Sequence, residues 1–173
     1  MTIENKIWIK DGSQKDIKLA LGMRKLLFEE MGVDKTSLLE NVDRVLEEYY
    51  VKEYLEDRMK HFIAFNEDDT PVAIVGAVLK SDFPYLTFKP GAYGWIIDVY
   101  TVPEYRGNEL ATRLLKLVNE WLIKKGVYEV KLIASGKGAR KLYEKIGFRS
   151  TWEMSLNLTV NKTYNEIIDN REK

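Results

Sequence analysis

Cysteine is absent from this chain of 173 residues, and histidine occurs once, as His61. Without cysteine the chain has no disulfide, no thiolate metal site and no cysteine nucleophile. A single histidine argues against a zinc site of the usual histidine-rich kind, and a Ser-His-Asp relay has only His61 to draw on. We therefore expect no metal centre.

An excess of charge of either sign is also missing. Lysine and arginine together number 27, as do aspartate and glutamate, so the formal net charge is zero. Such a chain has no overall field to attract nucleic acid or an anionic membrane. It shows neither an apolar run long enough to span a membrane nor the pattern of a secretory signal. We expect a cytoplasmic protein that binds neither nucleic acid nor membrane, and any anion site must be local.

The sequence does contain enough apolar surface for a folded core. Hydrophobic residues make up 45% of the chain and aromatic residues 12%, which is typical of globular proteins. A length of 173 residues suits a single core. Because no linker-like composition interrupts it, we predict one domain covering 1–173.

The most regular pattern predicts a strand, a tight turn and a helix in the middle of the chain. An apolar segment, 93–102, breaks at Pro103, and after Gly107 a helix begins whose leucines recur at helical spacing. Asn108 is a candidate cap for its start, and Gly126 for its end. The first backbone N–H groups of such a helix are unpaired within it and carry partial positive charge. They form a candidate anion site, and a pyrophosphate suits it.

Further strands and helices are predicted on both sides of this unit from apolar periodicity and from turn residues. The long aromatic connection between the hairpin and the central strand either roofs a pocket or covers a sheet edge. The predicted elements are a strand at 6–10, helices between 16 and 60, a hairpin of 61–66 with 72–79, the connection 81–94, a strand at 127–134, a helix at 137–146 and a last strand at 148–158.

Two segments resemble the motifs of the GNAT superfamily of N-acetyltransferases. The first is TVPEYRGNELA, residues 101–111, which resembles the acetyl-CoA-binding motif. It matches at Thr101, where valine is usual, and at Pro103, Tyr105, Arg106, Gly107 and Ala111. The second, LIASGKGARKLYEKIGF at 132–148, resembles the family's strand and helix that end in Gly-Phe. Both motifs occur in the family's order, and the resemblance covers most of the chain from Phe62 to Leu158.

The resemblance implies an α/β (α+β) GNAT fold with a splayed strand pair that holds CoA. Its central sheet is mixed and mostly antiparallel, with about six to seven strands flanked by about four helices. It further implies an acyl-CoA N-acyltransferase that moves an acetyl group from acetyl-CoA directly to a primary amine, without a metal. The acceptor is a small amine or a protein or peptide amine, and similar proteins commonly form homodimers that share the last strand.

By the same resemblance, Tyr143 is the general acid that protonates the departing CoA sulfur. Asp98 is the one carboxylate in the central strand and a candidate general base, with Glu30 and a water chain as alternatives. Strict alternation puts Asp98 on the face opposite Trp95 and Ile97, so only a bulge brings it to the acceptor side.

The cofactor is expected to contact the end of the central strand, the turn and the start of the helix. Arg106, Arg113 and Lys137 are candidates for the CoA phosphates, although each also suits a solvated surface. The predicted cofactor-binding residues are Val99, Tyr100, Thr101, Arg106, Gly107, Asn108, Glu109, Leu110, Ala111, Thr112 and Ser135.

Two departures from the family pattern concern this cofactor site. Glu109 stands where the family has a second glycine, and its carboxylate repels a pyrophosphate unless it points to solvent. Many family members have an asparagine at the position of Gly136, where the neighbouring Ser135 offers a hydroxyl instead. These departures leave open a second hypothesis, in which the chain is a catalytically weakened GNAT-fold module with an acyl-CoA-binding or regulatory role.

The first helices form the acceptor wall in the resembling family, and here they are acidic. Such a wall either attracts a cationic amine or is a solvated helix face. His61 is interpreted as the cap of a strand rather than as a catalytic residue. The acidic residues are Glu29, Glu30, Glu47, Glu48, Glu53, Glu56 and Asp57.

Overall fold

A five-stranded sheet organises the structure, a computed structural model that describes residues 6–33, 41–81, 92–135 and 137–154. The described residues up to Ser135 form one compact unit, which contains the whole sheet, and those from 137 form a second. In chain order the elements are β1 (Trp8–Asp11), α1 (Ile17–Glu30), α2 (Val42–Leu55), β2 (Met59–Phe65), β3 (Pro71–Ser81), β4 (Ala92–Thr101), α3 (Leu110–Lys124), β5 (Val130–Lys131) and α4 (Lys137–Lys145).

The sheet is mixed and mostly antiparallel, as predicted. Its order is β1-β2-β3-β4-β5, with antiparallel neighbours as far as β4 and with β5 parallel to β4. The predicted hairpin is β2 with β3. In the turn between them, Oδ1 of Asn66 accepts hydrogen bonds from the backbone amides of Asp68 and Thr70. β3 is apolar on both faces, since helices cover both sides of it.

The number of strands is lower than expected in the described residues, which contain five rather than six to seven. The predicted last strand, 148–158, shows no strand over 148–154, and its remainder lies outside the described residues. The strand predicted at 127–134 pairs only over Val130–Lys131. The four predicted α-helices are present, so the fold class is confirmed. No helix in the described ranges is both long and apolar enough to cross a bilayer.

Helices α1 and α2 cover one face of the sheet, and α3 covers the other. On the α3 side, Leu114, Leu115 and Val118 have no exposed surface. Leu122 fills the space at Gly94, where an added Cβ would lie 2.5 Å from it. Burial of each such side chain contributes about 1.5–3 kcal/mol, and this stripe fixes α3 against the sheet. The core under α1 and α2 consists of Ile17, Ala20, Met23, Tyr50, Met59, Ile63, Phe65, Ile74, Val78 and Tyr100.

The described part of the second unit is α4 and the residues that follow it. Gly147 closes the helix with a φ of 102°, and the Phe148 amide donates to the Tyr143 carbonyl at 2.9 Å. The ring of Phe148 packs edge to face on Tyr143, with 5.8 Å between the ring centres. The predicted helix and its Gly-Phe end are therefore confirmed.

Two predicted features fall outside the described residues. Most of the aromatic connection 81–94 is one of them, since residues 82–91 are not described. Gly136, the position of the family's asparagine, is the other. The ends of both segments are described and belong to β3, β4 and α4.

Candidate functional site

Strands β4 and β5 separate after two residue pairs. The ladder joins Gly94 to Val130 and Trp95 to Lys131, whereas β4 continues as far as Thr101. Neighbouring parallel strands normally bond along their whole shared length. Beyond Trp95, the edge of β4 that faces β5 therefore presents backbone groups to a gap. This agrees with the expected splayed strand pair.

A bulge interrupts β4 beside this gap. Asp98 and Val99 together lie opposite the single residue Val75 of β3. Asp98 has a φ of 55°, in the left-handed region that few residues other than glycine adopt. The extra residue turns the Asp98 side chain toward α1 and α2, on the same face as Ile97. The bulge that Asp98 needs in order to reach this side is thus present.

Asp98 is the centre of a buried group of polar side chains, the Asp98 cluster, which includes Arg24, Tyr50 and His61. Its Oδ1 accepts a hydrogen bond from Arg24 Nη1 at 2.5 Å. Its Oδ2 accepts from the Tyr50 hydroxyl at 2.5 Å and from His61 Nε2 at 2.9 Å. The side chains of Asp98 and His61 are fully buried, while that of Arg24 is 24% exposed. The cluster joins α1, α2, β2 and β4.

The cluster keeps Asp98 ionised. Burial by itself raises the pKa of a carboxyl group, but the hydrogen bond from His61 and the charge of Arg24 outweigh it and hold the pKa of Asp98 below its ordinary value. Burial, and then the neighbouring Asp98 charge, raises the pKa of Tyr50, so this phenol remains a donor. A carboxylate that already accepts three hydrogen bonds is a weak base toward a substrate proton. The cluster is therefore suited to hold a fixed negative charge and fixed side-chain positions, and not to accept a proton.

His61 lies inside β2, and the interpretation as a strand cap was wrong. Gly76, its partner on β3, leaves the space for the imidazole, because a Cβ there would lie 2.4 Å from Cδ2 and Nε2 of His61. An ionised carboxylate only accepts, so Nε2 carries a proton toward Asp98. In the neutral ring Nδ1 then accepts from the Tyr54 hydroxyl, 2.8 Å away.

Arg24, Tyr50 and Tyr54 belong to this site but were missed in the sequence. Asp98 is 74 residues from Arg24 and 48 from Tyr50, so no local spacing connects them. One signal was available in Gly76. An isolated glycine within an apolar strand indicates a bulge or the close approach of another group.

The turn between β4 and α3 leaves the first amides of the helix open. The first bond inside α3 runs from the Arg113 amide to the Glu109 carbonyl at 3.0 Å. The amides of 110–112 precede it, and the residue at the cap position makes no side-chain hydrogen bond to them. No described atom lies within 4 Å of a Cβ built on Gly107. Open amides, a positive helix end and this free space fit the pyrophosphate of acetyl-CoA.

Glu109 is the residue immediately before α3 and has a φ of 57°. Glycine adopts this conformation easily, whereas a residue with a side chain does so at a cost of about 1–2 kcal/mol. The backbone therefore retains the shape for which the family uses glycine. The departure lies in the side chain, which adds negative charge at the helix end where an anion would bind.

Asn108 does not cap α3 as predicted, because Glu109 occupies the cap position. Its Nδ2 donates instead to the Tyr105 carbonyl at 3.0 Å, within the turn. The Tyr105 hydroxyl accepts a hydrogen bond from Asn66 at 3.1 Å, which connects the turn to the β2–β3 hairpin. These contacts hold the turn in place from two sides.

Arg106 contacts the end of α1 and the end of β4. Its Nη2 donates to Glu30 at 2.6 Å, and its Nε donates to the Thr101 carbonyl at 3.0 Å. Its guanidinium carbon lies 5.9 Å from the ring centre of Tyr100. The hydrogen bond from Arg106 lowers the pKa of Glu30, which makes Glu30 a weaker base. A phosphate group would have to compete with Glu30 for Arg106.

The other predicted cofactor residues lie along the start of α3 and after β5. Leu110 is buried, so it offers only its amide, and Ala111 and Thr112 are partly buried. Val99 is partly buried in the bulge. Ser135 is exposed, and its hydroxyl lies 3.8 Å from the sulfur of Met31 at the end of α1.

Tyr143 lies in α4 with a side chain that is 6% exposed. Burial raises the pKa of this phenol. A raised pKa keeps the group protonated over a wider pH range, as a proton donor requires.

Ion pairs neutralise most of the acidic residues on the first helices. A charge that is already paired attracts a distant cation only weakly, because the field of its partner opposes it. This favours a solvated helix face over an acidic wall that attracts the acceptor. The ion pairs include Glu30 with Arg106, Glu48 with Arg44, Glu53 and Glu56 with Arg58, and Asp57 with Lys125.

Comparison with known proteins agrees with this geometry. The profile of the acetyltransferase (GNAT) family matches residues 23–148. No curated protein matches the chain.

Solved structures share the fold over nearly the whole chain. A predicted acetyltransferase from Clostridium acetobutylicum, crystallised with acetyl-CoA, is 27% identical, with a TM-score of 0.82 over 91% of this chain and 99% of that chain. A GCN5-related N-acetyltransferase from Ralstonia eutropha is 19% identical, with a TM-score of 0.78 over 89% and 99%. Glucosamine-6-phosphate N-acetyltransferase from Arabidopsis thaliana is 16% identical, with a TM-score of 0.63 over 88% and 99%. At these identities, the similarity of this chain to the last two structures shows a common fold only.

Proposed function

This chain belongs to the acetyltransferase (GNAT) family and is an acyl-CoA N-acyltransferase, and from that premise we propose that it moves the acetyl group of acetyl-CoA directly to a primary amine. The observation that carries the proposal is that the bulged end of β4, whose edge toward β5 is unpaired, leads through a short turn to the open amides of 110–112. A cysteine acyl-enzyme is excluded, because the sequence has no cysteine. Direct attack of the amine is the simpler route.

In this proposal, backbone groups do most of the cofactor binding. The amides of 110–112 hold the pyrophosphate, with space at Gly107 and an added donor in the Thr112 hydroxyl. The edge of β4 from Val99 to Thr101 bonds to the pantetheine arm, where the pairing with β5 has ended. Ser135 and Arg106 assist as polar side chains, and Arg113 and Lys137 are further candidates for the phosphates.

Two groups act on the reacting bond. Backbone N–H groups at the bulge stabilise the negative charge on the thioester oxygen during attack. Tyr143 donates its phenolic proton to the sulfur, which leaves as the new C–N bond forms and the C–S bond breaks. The raised pKa of Tyr143 keeps that proton in place until transfer.

The amine must also lose a proton, and Asp98 was predicted to accept it. Asp98 is saturated by three donors, and Glu30 is held by Arg106. We assign Asp98 a positioning role, in which it fixes Tyr50 and Arg24 behind the bulge. The proton of the amine leaves through water, the remaining alternative.

Tyr143→Phe tests the proposal in an assay that follows thiol release from acetyl-CoA with a panel of amines. We expect kcat to fall by about a hundredfold or more, because a general acid contributes roughly that factor. Calorimetry should show unchanged affinity for acetyl-CoA. Tyr128→Phe is the matched control, because its ring is 80% exposed, and it should keep full activity.

The second hypothesis, a weakened module that binds acyl-CoA, predicts a different result. It is motivated by Glu109 at the helix start. Under it, wild-type protein binds acetyl-CoA in the calorimeter but acetylates no amine. Failure to bind acetyl-CoA at millimolar concentration would refute both hypotheses.

The acceptor class and the assembly are also proposals. The Arabidopsis enzyme is named for an amino sugar phosphate, which is an amine, and this supports an amine acceptor, small or on a peptide. The family match runs through residue 135 to residue 148, which supports one domain over both compact units. A cytoplasmic homodimer remains a prediction from the sequence.

A further inference from the structure

One exposed ion pair connects the end of α1 to the turn that precedes α3. Arg106 Nη2 donates to Glu30 Oε2 at 2.6 Å, and Arg106 Nε donates to the Thr101 carbonyl at 3.0 Å. The side chains of Glu30 and Arg106 are 47% and 46% exposed, so a ligand can reach both of them. The pair joins the helix on one face of the sheet to the turn that leads to the open amides of 110–112.

Arg106 and Glu30 each have the chemistry to bind one substrate of the proposed reaction. The guanidinium group of Arg106 suits a phosphate group of CoA, because phosphate and carboxylate oxygens bind the same pair of N–H donors. The carboxylate of Glu30 suits the ammonium group of a primary amine, which is the form that prevails at neutral pH. In the ion pair, each side chain therefore occupies the binding position of the other's ligand.

Glu30 lies at the end of β4 that carries the bulge. Arg106, and then the Tyr100 hydroxyl, lower the pKa of Glu30 through hydrogen bonds, so this carboxylate is near the Tyr100 side chain. Tyr100 directly follows the bulge residue Val99 in β4, and its ring packs into the core beneath α1 and α2. One residue along a strand corresponds to about 3.3 Å. The carboxylate is thus on the side of the sheet from which α1 and α2 face the bulge.

The charges near Glu30 decide which ligand it attracts. Arg106 is the cation that pairs with Glu30, and Glu104 is a further carboxylate near Arg106. The charge of Arg24, a cation on the same side of the sheet, is offset by Asp98 at 2.5 Å. A phosphate group that binds Arg106 would leave the Glu30 carboxylate without this cation. An ammonium group could then take its place.

We propose that acetyl-CoA and the amine replace the Glu30–Arg106 pair with two new pairs, in which Arg106 binds a phosphate group of the cofactor and Glu30 binds the ammonium group of the acceptor. This inference rests on the proposed acetyl transfer. Each ligand frees the partner of the other, so each should raise the affinity for the other by the same factor. Glu30 thereby selects cationic acceptors, and the bound ammonium group loses its proton to water before the neutral amine attacks.

Calorimetry with CoA as the probe tests the exchange without any acceptor. Glu30→Gln removes the competing charge but still accepts a hydrogen bond, so it should lower the Kd for CoA by about two- to fivefold, the range that an exposed ion pair allows. Arg106→Gln should raise this Kd. In the Arg106→Gln background the additional Glu30→Gln should leave it unchanged, since the gain requires the freed guanidinium group. Glu104→Gln is the matched control, because it removes a charge near Arg106 that is not its hydrogen-bond partner, and it should change the Kd less.

A matched pair of acceptors tests the role of Glu30 toward the ammonium group. Propylamine is a cation at neutral pH, whereas O-ethylhydroxylamine has the same length and is neutral. In the thiol-release assay, Glu30→Gln should raise the KM for propylamine by about fivefold, leave that for O-ethylhydroxylamine unchanged and change kcat by less than about twofold. Glu48→Gln removes another paired carboxylate, on α2, and should change neither KM. Loss of folding cannot imitate a lower Kd for CoA together with a higher KM for propylamine.

An unchanged Kd for CoA in Glu30→Gln, or the same gain in the absence of Arg106, overturns the inference and leaves acetyl transfer standing. An equal rise in KM for both acceptors does so as well. Failure of the wild-type protein to acetylate any amine, although it binds CoA, overturns the proposed function and this inference with it.

Discussion

Asp98 and Glu109 are both acidic and both have left-handed backbone angles, with φ of 55° and 57°, yet one is buried and the other is exposed. At Asp98 three side-chain donors surround the carboxylate and hold the bulge. At Glu109 the same angle ends the turn, and the amides that follow it have no partner within α3. The same local geometry thus supports a buried cluster in one place and an exposed helix start in the other.

The largest change in stability is expected when Asp98 is replaced. We expect Asp98→Asn to lower the free energy of unfolding by about 3–5 kcal/mol, because Arg24 and His61 lose their buried anion. Urea denaturation followed by circular dichroism measures this. Asp69→Asn is the control, since Asp69 has a φ of 57° in an exposed turn and asparagine tolerates that angle. A similar loss at both positions would contradict an origin in the Asp98 cluster.

Lowering the pH should remove the contribution of the Asp98 carboxylate to the free energy of unfolding. The pKa of Asp98 lies below its unfolded value of about 3.9, since its donors outweigh the effect of burial. Its stabilisation is therefore complete above that pH and is lost as pH falls through the folded pKa. The difference in unfolding free energy between wild type and Asp98→Asn should stay constant near neutral pH and shrink in acid. A difference that is independent of pH would contradict this.

A smaller effect is expected from Gly76→Ala, which tests the cluster from its far side. The new methyl group would lie 2.4 Å from the buried His61 ring and would push it away from Asp98. Overpacking of this kind costs about 1–3 kcal/mol. Gly22→Ala is the control, since no described atom outside the neighbouring backbone of α1 lies within 4 Å of its added Cβ, and it should stabilise by about 0.5–1 kcal/mol. Equal effects of the two would exclude close packing at Gly76.

The smallest change in stability is expected at the exposed residue. Glu109→Gly removes backbone strain and a carboxylate, so stability should change by no more than about 1 kcal/mol. Affinity for acetyl-CoA, measured by calorimetry, should rise, because the pyrophosphate no longer meets that charge. Glu109→Gln separates charge from strain. If neither variant binds more tightly, the carboxylate does not face the cofactor.

The open turn was predictable because its signals are local. Proline, glycine and leucines at helical spacing lie within one short segment, and α3 begins within two residues of the predicted start. The hairpin of β2 and β3 and the helix α4 were predicted on similar grounds, since each depends on neighbours in the sequence. Even so, Asn108 was misread as the cap, because Glu109 provides the left-handed residue that begins the helix.

The buried cluster was not predictable in the same way. Asp98 meets Arg24, Tyr50 and His61 only because a bulge shifts the phase of β4, and alternation alone points it to the other face. β5 was predicted too long for a related reason. A strand needs a partner along its length, and β4 leaves it after Trp95. Such facts depend on the paired strand and not on the segment itself.

The extra residue in β4 also limits how this enzyme tolerates insertions and deletions. On either side of Asp98 and Val99 the inward and outward positions are out of step, so removing one of the two would invert every side chain from there to Thr101. Tyr100 would leave the interior, and α3, the helix that follows, would begin in a different orientation. Length changes should therefore be accepted in the hairpin turn at 66–70 and rejected between 97 and 101.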